Sequence, residues 1–487
     1  MLRASICLIA LGLFACERGD APNPFGGRDA APSPDARAPA PDTRVDDATH
    51  VVDLGLDAAE LDAAPRDAEV DMEPFEAGPP PYALDAARDP VGLELQVAAD
   101  WTPILGGQAR QKLASMQLEV LPSGRTIRVP LLYVAPTSGC PCAFFVIDGA
   151  LTHDVRAVDE VAQTLLGLGI GMVAVGIAPL DDLSPDGEAF AAERAALLQE
   201  TGELRYTDLW LWGYAYIRAA TAALTEFDVF RPGRIGAAGR SRGGMAASAA
   251  VINDDRFVAL SAWLTPIAAL PDGLVPDGLR GRARRRLAFD LGRLSLPIHH
   301  VAALDERRVD VFFHNAANDA VTPGLSLAEE LDREFPQCIE PNTGHGVVFR
   351  PQGVPVPVER PFEDTRLALL EYSLSRGSRL MTPPLLSATL VDGTLTVLAR
   401  FRTVPRPDNA TLWFVFDRPA EGTPDWENVI FESRPMSRLD DRTYVLTLPV
   451  PPGHMTLDAF SYHSDLVQGR PRHVSSAYTR FDLTPAF

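Results

Sequence analysis

Between about residues 93 and 376, short apolar runs alternate with longer stretches suited to helices. Residues 118–121 and 129–134, with Pro122, Ser123 and Gly124 between them, predict an opening β-hairpin. Further strands are predicted at 143–147, 171–176, 234–238, 257–260, 309–313 and 337–340. Helices are predicted at 156–168, 206–224 and 325–335, and directly after Arg242. Such alternation implies a doubly wound, mostly parallel sheet with helices on both faces. After residue 376 only strands follow. Residues 387–390 and 394–398 flank Asp392-Gly393, a hairpin turn, and strands continue at 411–416, 443–448 and 456–462. Short strands at this spacing predict a β-sandwich of immunoglobulin-like size. The expected architecture is an α/β domain over 91–378 followed by a small all-β domain over 379–487.

One pentapeptide changes the picture from architecture to chemistry. Gly239-Arg240-Ser241-Arg242-Gly243 reads G-x-S-x-G and joins the strand 234–238 to the small residues 244–250. A strand, a sharp turn with Ser at its tip and then a helix form the nucleophile elbow of α/β-hydrolases. Glycines are needed because the turn is strained and crowds the Ser. The Ser then sits at a helix N-terminus, where N–H groups and the dipole favour a developing oxyanion. A serine nucleophile also needs a base and an acid, which this fold supplies in the chain order Ser, Asp, His. Asp319 lies in the loop past strand 309–313, closed by Thr322-Pro323, and is the expected acid. His345 follows strand 337–340 in Pro341-Asn342-Thr343-Gly344-His345-Gly346 and is the expected base. The N–H groups of Arg242 and Ala150 are the expected oxyanion donors. Ala150 follows a strand ending in Asp148-Gly149, where many hydrolases carry His-Gly.

Other titratable residues fit less well. Asp305 and Asp310 precede or begin a strand, where neither can orient an imidazole, and His314 reads as a packed or solvated residue. His153 precedes the Ser in the chain, His50 lies in the tail, and His454, His463 and His473 lie near the C-terminus. His299-His300 has no carboxylate or Cys at ligand spacing, so neither a metal nor a cofactor is expected. Trp210, Trp212, Tyr214 and Tyr216 on the helix 206–224 read as packing. The excursion 267–308 falls where this fold often inserts a lid. It holds the dense basic run 280–286, either a solvated helix face or a guide for an anionic substrate.

The N-terminus adds a location. Met1-Leu2-Arg3, an apolar run and Leu13-Phe14-Ala15-Cys16 read as a signal peptide over 1–15. The last four residues are similar to a bacterial lipobox, which would lipidate Cys16; ordinary cleavage is the alternative. Glu17 after the Cys fits sorting to the outer membrane. Residues 17–90 are rich in Ala, Pro and Asp and carry 18 acidic against 6 basic residues, over half of the net charge of −21. Such a segment buries too little apolar surface to offset its ordering entropy, so residues 16–90 are expected to be a disordered tether. The body is not basic, which argues against a nucleic-acid partner. Cys140, Cys142 and Cys338 remain; export permits a disulfide, and one C-x-C pair is weak evidence for a metal.

The segments GRSRGG, NAANDAVTP and PNTGHG resemble those of α/β-hydrolases. Together with TLWFVFDRP and RTYVLTLPVPPGHMTLDAFSY, they make the chain from about residue 93 to 487 similar to the PhoPQ-activated pathogenicity-related family of exported bacterial proteins. That resemblance implies a hydrolase domain joined to a small C-terminal β domain. The elbow Ser241-Arg242-Gly243-Gly244 departs from that family's Ser-Lys-Arg-Gly towards prolyl-oligopeptidase-type enzymes. The expected function is an envelope-anchored serine hydrolase of esters, with amides as the second substrate class. The alternative is an inactive hydrolase-fold binding module.

Overall fold

The computed structural model describes residues 80–484 apart from 150–159, 178–186, 272, 277, 320, 323–335, 346–360, 376–380, 403–406, 408, 421–422, 424 and 468–469. Cys16, the signal segment and the tail to residue 79 lie outside the described residues, as do Ala150 and the helix expected at 325–335.

Nine strands form the main sheet: β1 (Gln96–Ile104), β2 (Ala109–Val120), β3 (Thr126–Pro136), β4 (Cys142–Gly149), β5 (Ile170–Gly176), β6 (Phe230–Arg240), β7 (Phe257–Trp263), β8 (Asp310–Ala316) and β9 (Gln337–Glu340). Their spatial order is β1-β2-β3-β5-β4-β6-β7-β8-β9. β1, β2 and β3 are antiparallel, β3 runs antiparallel to β5, and the strands from β5 to β9 are parallel. β5 lies on one side of β4 and β6 on the other, so the winding direction reverses at β4. The carboxyl ends of β4 and β6 therefore flank the crevice that such a reversal opens. β1 had no counterpart in the sequence reading, because this edge strand is largely exposed and carries no apolar run.

Helices cover both faces. Asp208–Thr225, Arg242–Asn253 and Gly281–Ser295 share one core with Phe144, Val146 and Val173, while Glu160–Gly167 and Pro361–Leu374 share another with Phe145, Ile147 and Met172. Strands flanked this way show no polar alternation: all seven residues of β5 are buried. The excursion 267–308, expected as a lid, is built into the first layer. Leu287, Leu291 and Leu294 of Gly281–Ser295 are buried there, and the basic run opens that helix.

The tether boundary at residue 90 needs correction, since residues 81–93 are part of the folded domain. Tyr82 is buried and its hydroxyl donates to the Trp210 carbonyl at 3.1 Å; the Trp210 indole donates to the Pro81 carbonyl at 2.6 Å. Gly213 makes room for this ring, because a Cβ there would strike the Tyr82 hydroxyl. Arg218 holds the carbonyls of Ala86 and Asp89, and Arg88 pairs with Asp254 at 2.7 Å. The acidic, alanine-rich composition continues through this stretch, so composition alone placed the boundary too late.

The C-terminal domain contains two sheets. β10 (Leu385–Val391), β11 (Thr394–Arg400), β14 (Ser437–Arg438) and β15 (Thr443–Pro449) form one, in the order β10-β11-β15-β14. β12 (Asn409–Phe416), β13 (Glu432–Pro435), β16 (Thr456–Val467), β17 (Arg470–Ser475) and β18 (Thr479–Asp482) form the other, with β12 and β16 paired at its centre. Leu395, Val397, Leu412, Phe414, Leu457 and Ala459 fill the space between them. The second sheet is covered on its other face too. Trp413, Val415 and Phe460 pack with Ala317 and Ile339 of the α/β domain, and Tyr462 and Val474 with Phe312, Cys338 and Leu369.

Candidate active site

Ser241 follows β6 at φ 50° and ψ −113°, a backbone conformation that costs free energy and marks the elbow. Its N–H donates to the Trp263 carbonyl at 2.9 Å, and Met245 N–H closes the first helical turn on the Ser241 carbonyl at 3.0 Å. The flanking glycines are steric requirements. A Cβ on Gly239 would strike the backbone of Gly243, one on Gly243 the Asp148 carboxyl, and one on Gly244 the Thr265 hydroxyl. Arg242 occupies the first helical position, whose N–H has no acceptor within the helix and so is open to an oxyanion. Its guanidinium stacks on the Trp212 ring, 4.9 Å from the centroid. The second expected donor, Ala150, lies outside the described residues.

The residues predicted from three distant parts of the chain meet. His345 Nε2 is 2.8 Å from Ser241 Oγ, and His345 Nδ1 is 2.9 Å from Asp319 Oδ2 and 3.1 Å from Oδ1. Asp319 is 3% exposed and its carboxylate is oriented by further donors. The N–H groups of Val321 and Thr322 reach Oδ1 at 2.9 and 3.1 Å, and the Thr322 hydroxyl reaches Oδ2 at 2.5 Å. A carboxylate only accepts hydrogen bonds, so the Nδ1 facing it bears the proton and Nε2 is free to accept the Ser241 proton. Asp310 begins β8, at the opposite end of the strand from the Asp319 loop.

Two residues at the site escaped sequence reasoning. Arg240, an unspecified position of the pentapeptide, donates from Nη2 to the His345 carbonyl at 2.8 Å and ties the base loop to the elbow. Asp148 lies beneath the elbow against Gly243, with the Tyr216 hydroxyl 3.5 Å away. Burial pushes its carboxyl up to about 6, against the backbone N–H groups of Asp148 and Arg240 and the Tyr216 hydroxyl, which favour the anion. The substitution of Asp for His after β4 was visible in the sequence; its location under Gly243 was not.

Among the described residues, His314, Cys338 and Glu340 bring donor atoms of metal-binding type within 4.8 Å of one another. Strand register makes this trio, since His314 and Cys338 are partners across β8 and β9. His314 Nε2 lies 3.2 Å from Glu340 Oε1, and the Cys338 thiol, pushed up by burial, is hydrogen-bonded to Ser475 and Tyr462 of the β domain. Cys140, Cys142 and Cys338 are all free thiols.

The strand order, the reversal at β4 and the strained Ser between β6 and its helix settle the architecture. The fold is that of an α/β-hydrolase. No protein-family model and no curated protein matches the chain. Solved structures that the chain matches include acetyl xylan esterase 1 from Thermoanaerobacterium sp. JW/SL YS485, at 14% identity over 60% of this chain and 92% of that one, with a TM-score of 0.40. An acetyl xylan esterase from Paenibacillus sp. R4 matches at 14% identity over 54% and 86%, with a TM-score of 0.37. A glucuronoyl esterase from Solibacter usitatus matches at 17% identity over 47% and 69%, with a TM-score of 0.30.

Proposed function

We propose that this protein is a serine hydrolase of ester bonds, with amides as a second substrate class. One observation carries the reading: the His345 imidazole bridges a buried carboxylate at 2.9 Å and a serine hydroxyl at 2.8 Å on a strained elbow. Ser241 attacks the carbonyl carbon while His345 takes its proton at Nε2, and Asp319 orients and stabilises the imidazolium. The tetrahedral oxyanion is received by the N–H groups of Arg242 and Ala150. His345 then returns the proton to the leaving oxygen, and water repeats the sequence on the acyl-enzyme.

The site is carried to the cell envelope. Leu13-Phe14-Ala15-Cys16 supports lipidation at Cys16, Glu17 supports an outer-membrane destination, and the acidic segment to residue 79 supports a tether. No described helix is long and apolar enough to cross a membrane. The narrower resemblance to the PhoPQ-activated family rests on the sequence segments around the elbow, the base loop and strands β12, β15 and β16 of the β domain.

Fluorophosphonate labelling tests the reading, because such reagents modify only an activated serine. Label is expected on Ser241 of the wild type and on neither Ser241→Ala nor His345→Ala. A wild type that neither labels nor hydrolyses short or long acyl esters, acetylated sugars or aminoacyl amides is instead a binding module. A fatty-acid analogue is expected to mark the wild type and not Cys16→Ser; equal marking of both removes the anchor.

A further inference from the structure

The C-terminal β domain holds none of the triad residues, yet it touches both loops that deliver the acid and the base. Asn318, immediately before Asp319, donates from Nδ2 to the Val429 carbonyl at 2.7 Å. Asn342, three residues before His345, makes two bonds to one residue further along the same strip. Its Nδ2 donates to the Phe431 carbonyl at 3.2 Å and its Oδ1 accepts the Phe431 N–H at 2.7 Å. Asn318 and Asn342 are both buried. The two loops are also tied to each other, since Asn318 N–H donates to the Thr343 carbonyl at 2.9 Å. One three-residue stretch of the β domain, 429–431, thus hydrogen-bonds to the loops that carry Asp319 and His345.

The stretch is itself fixed from below. Arg418 is 3% exposed and lies flat on the Trp426 ring, 3.2 Å from the centroid. It donates to the Ala317 carbonyl at 2.7 Å and to the Trp426 carbonyl at 3.2 Å from one nitrogen, and to the Tyr478 hydroxyl at 2.8 Å from another. The Tyr478 hydroxyl in turn donates a hydrogen bond to Asp458 Oδ1 at 2.7 Å. Ala317, Asn318 and Asp319 are consecutive, so both residues that lead into Asp319 are held by the β domain. β9 ends the sheet, and an edge strand followed by a loop has few constraints of its own. The Ser475 hydroxyl takes the Ile339 N–H at 2.9 Å, which supplies one. A further sign lies in Asn342, whose φ of 54° is a left-handed conformation that Asn tolerates better than most residues.

We infer that the β domain is a positioning platform for the triad, acting through Asn318 and Asn342. The inference rests on the serine hydrolase reading above. Imidazole and carboxylate must keep their geometry to within a fraction of an ångström for proton transfer, and small misplacements far from the chemistry cost rate rather than binding. Asn318 and Asn342 are positioning residues: their side chains bond to the β domain and act on Asp319 and His345 through the loops that carry them.

The experiment uses the full chain, with Asn318→Ala, Asn342→Ala and Asn342→Gly. The glycine variant keeps the left-handed backbone and loses only the clamp. Fluorophosphonate titration counts competent sites, and kcat and KM for an activated ester are then taken per competent site, at a temperature where near-UV circular dichroism shows each variant folded. A positioning role predicts kcat per site about 10- to 100-fold lower for each variant, with KM within about twofold. It also predicts a changed acid limb in the pH profile of kcat/KM, because the Asp319–His345 bond is loosened. A purely structural role would lower the number of competent sites and the melting temperature, leaving kcat per site and the pH profile as in the wild type; that result overturns the inference. If a variant does not fold, Asn342→Gly and Asn318→Ala are judged separately, and unchanged kcat in either folded variant counts against the platform. A wild type that itself does not label at Ser241 overturns the hydrolase reading first, which an active wild type with active variants does not.

Discussion

Ser241 and His345 end 2.8 Å apart, but they are held by different kinds of structure. The serine is held mainly by its own chain segment, with one backbone bond to Trp263 of the neighbouring strand. β6, the tight turn and the helix Arg242–Asn253 are consecutive, and Gly239, Gly243 and Gly244 remove the side chains that would force the turn open. The acid and base stand on loops after β8 and β9, the last two strands of the sheet, and lean on residues more than 80 positions further along the chain. The comparison teaches that a strained nucleophile can be specified locally. The loops that carry Asp319 and His345, at the sheet edge, are instead bonded to a surface of the β domain.

Removing the chemistry gives the largest effect. Ser241→Ala or His345→Ala is expected to lower kcat by about 10⁶-fold, as in serine proteases whose triad members act as one unit. Asp319→Asn keeps the shape of the acid and is expected to cost about 10⁴-fold, because it mis-sets the imidazole tautomer. Asp310→Asn and Asp305→Asn, assayed alongside, should be near wild type. If either matched Asp319→Asn while Asp319→Asn were silent, the acid would be misassigned and the two-loop half of the comparison would collapse.

The elbow half is sharpened by its N-terminal brace. A chain beginning at residue 80 is expected to melt like the full-length protein. One beginning at Leu93 loses the Tyr82 ring over Gly213 and the carbonyls held by Arg218. Truncating a buried aromatic alone costs about 3–5 kcal/mol, so a fall in melting temperature of several degrees or more is expected. Equal melting temperatures would show that residues 80–92 contribute nothing to the helix behind the elbow.

A smaller effect is expected from Asp148. Its carboxyl, pushed up by burial to about 6, is protonated more readily in the folded protein than in the unfolded chain. The sign follows: its contribution to stability is full at pH below about 4 and is lost as pH rises through about 6, by up to about 3 kcal/mol. Urea denaturation of the wild type and Asp148→Asn from pH 4 to pH 7 should give curves that diverge with rising pH, the wild type losing more. Parallel curves would mean that the carboxyl beneath Gly243 is solvated in the folded state.

How much was legible depended on how local each feature is. The elbow could be read because strand, Ser and glycines are contiguous, and Asp319 and His345 because the fold's chain order left one loop position for each. The strand Thr411-Leu412-Trp413-Phe414-Val415-Phe416 showed a continuous apolar run, and the structure gives the reason. Leu412 and Phe414 face the partner sheet while Trp413 and Val415 face the α/β domain. A run without alternation signals cover on both faces but not what provides it. The polar side chains of Asn318, Asn342, Arg240 and Arg418 gave no signal at all, since a hydrogen bond across the molecule leaves no trace in local spacing.

The sequence by itself determined the alternation that makes the sheet, the strained turn at Ser241, the chain order of Ser241, Asp319 and His345, and the all-β character of the last hundred or so residues. Each depends on φ/ψ preferences and apolar periodicity, which act over a few residues. Tertiary structure alone decided where the folded domain begins, that Asp148 lies beneath Gly243, and that 429–431 bonds to the loops carrying Asp319 and His345. Those facts depend on which surfaces meet once the chain is compact, and contacts between residues a hundred positions apart are selected by packing of the whole.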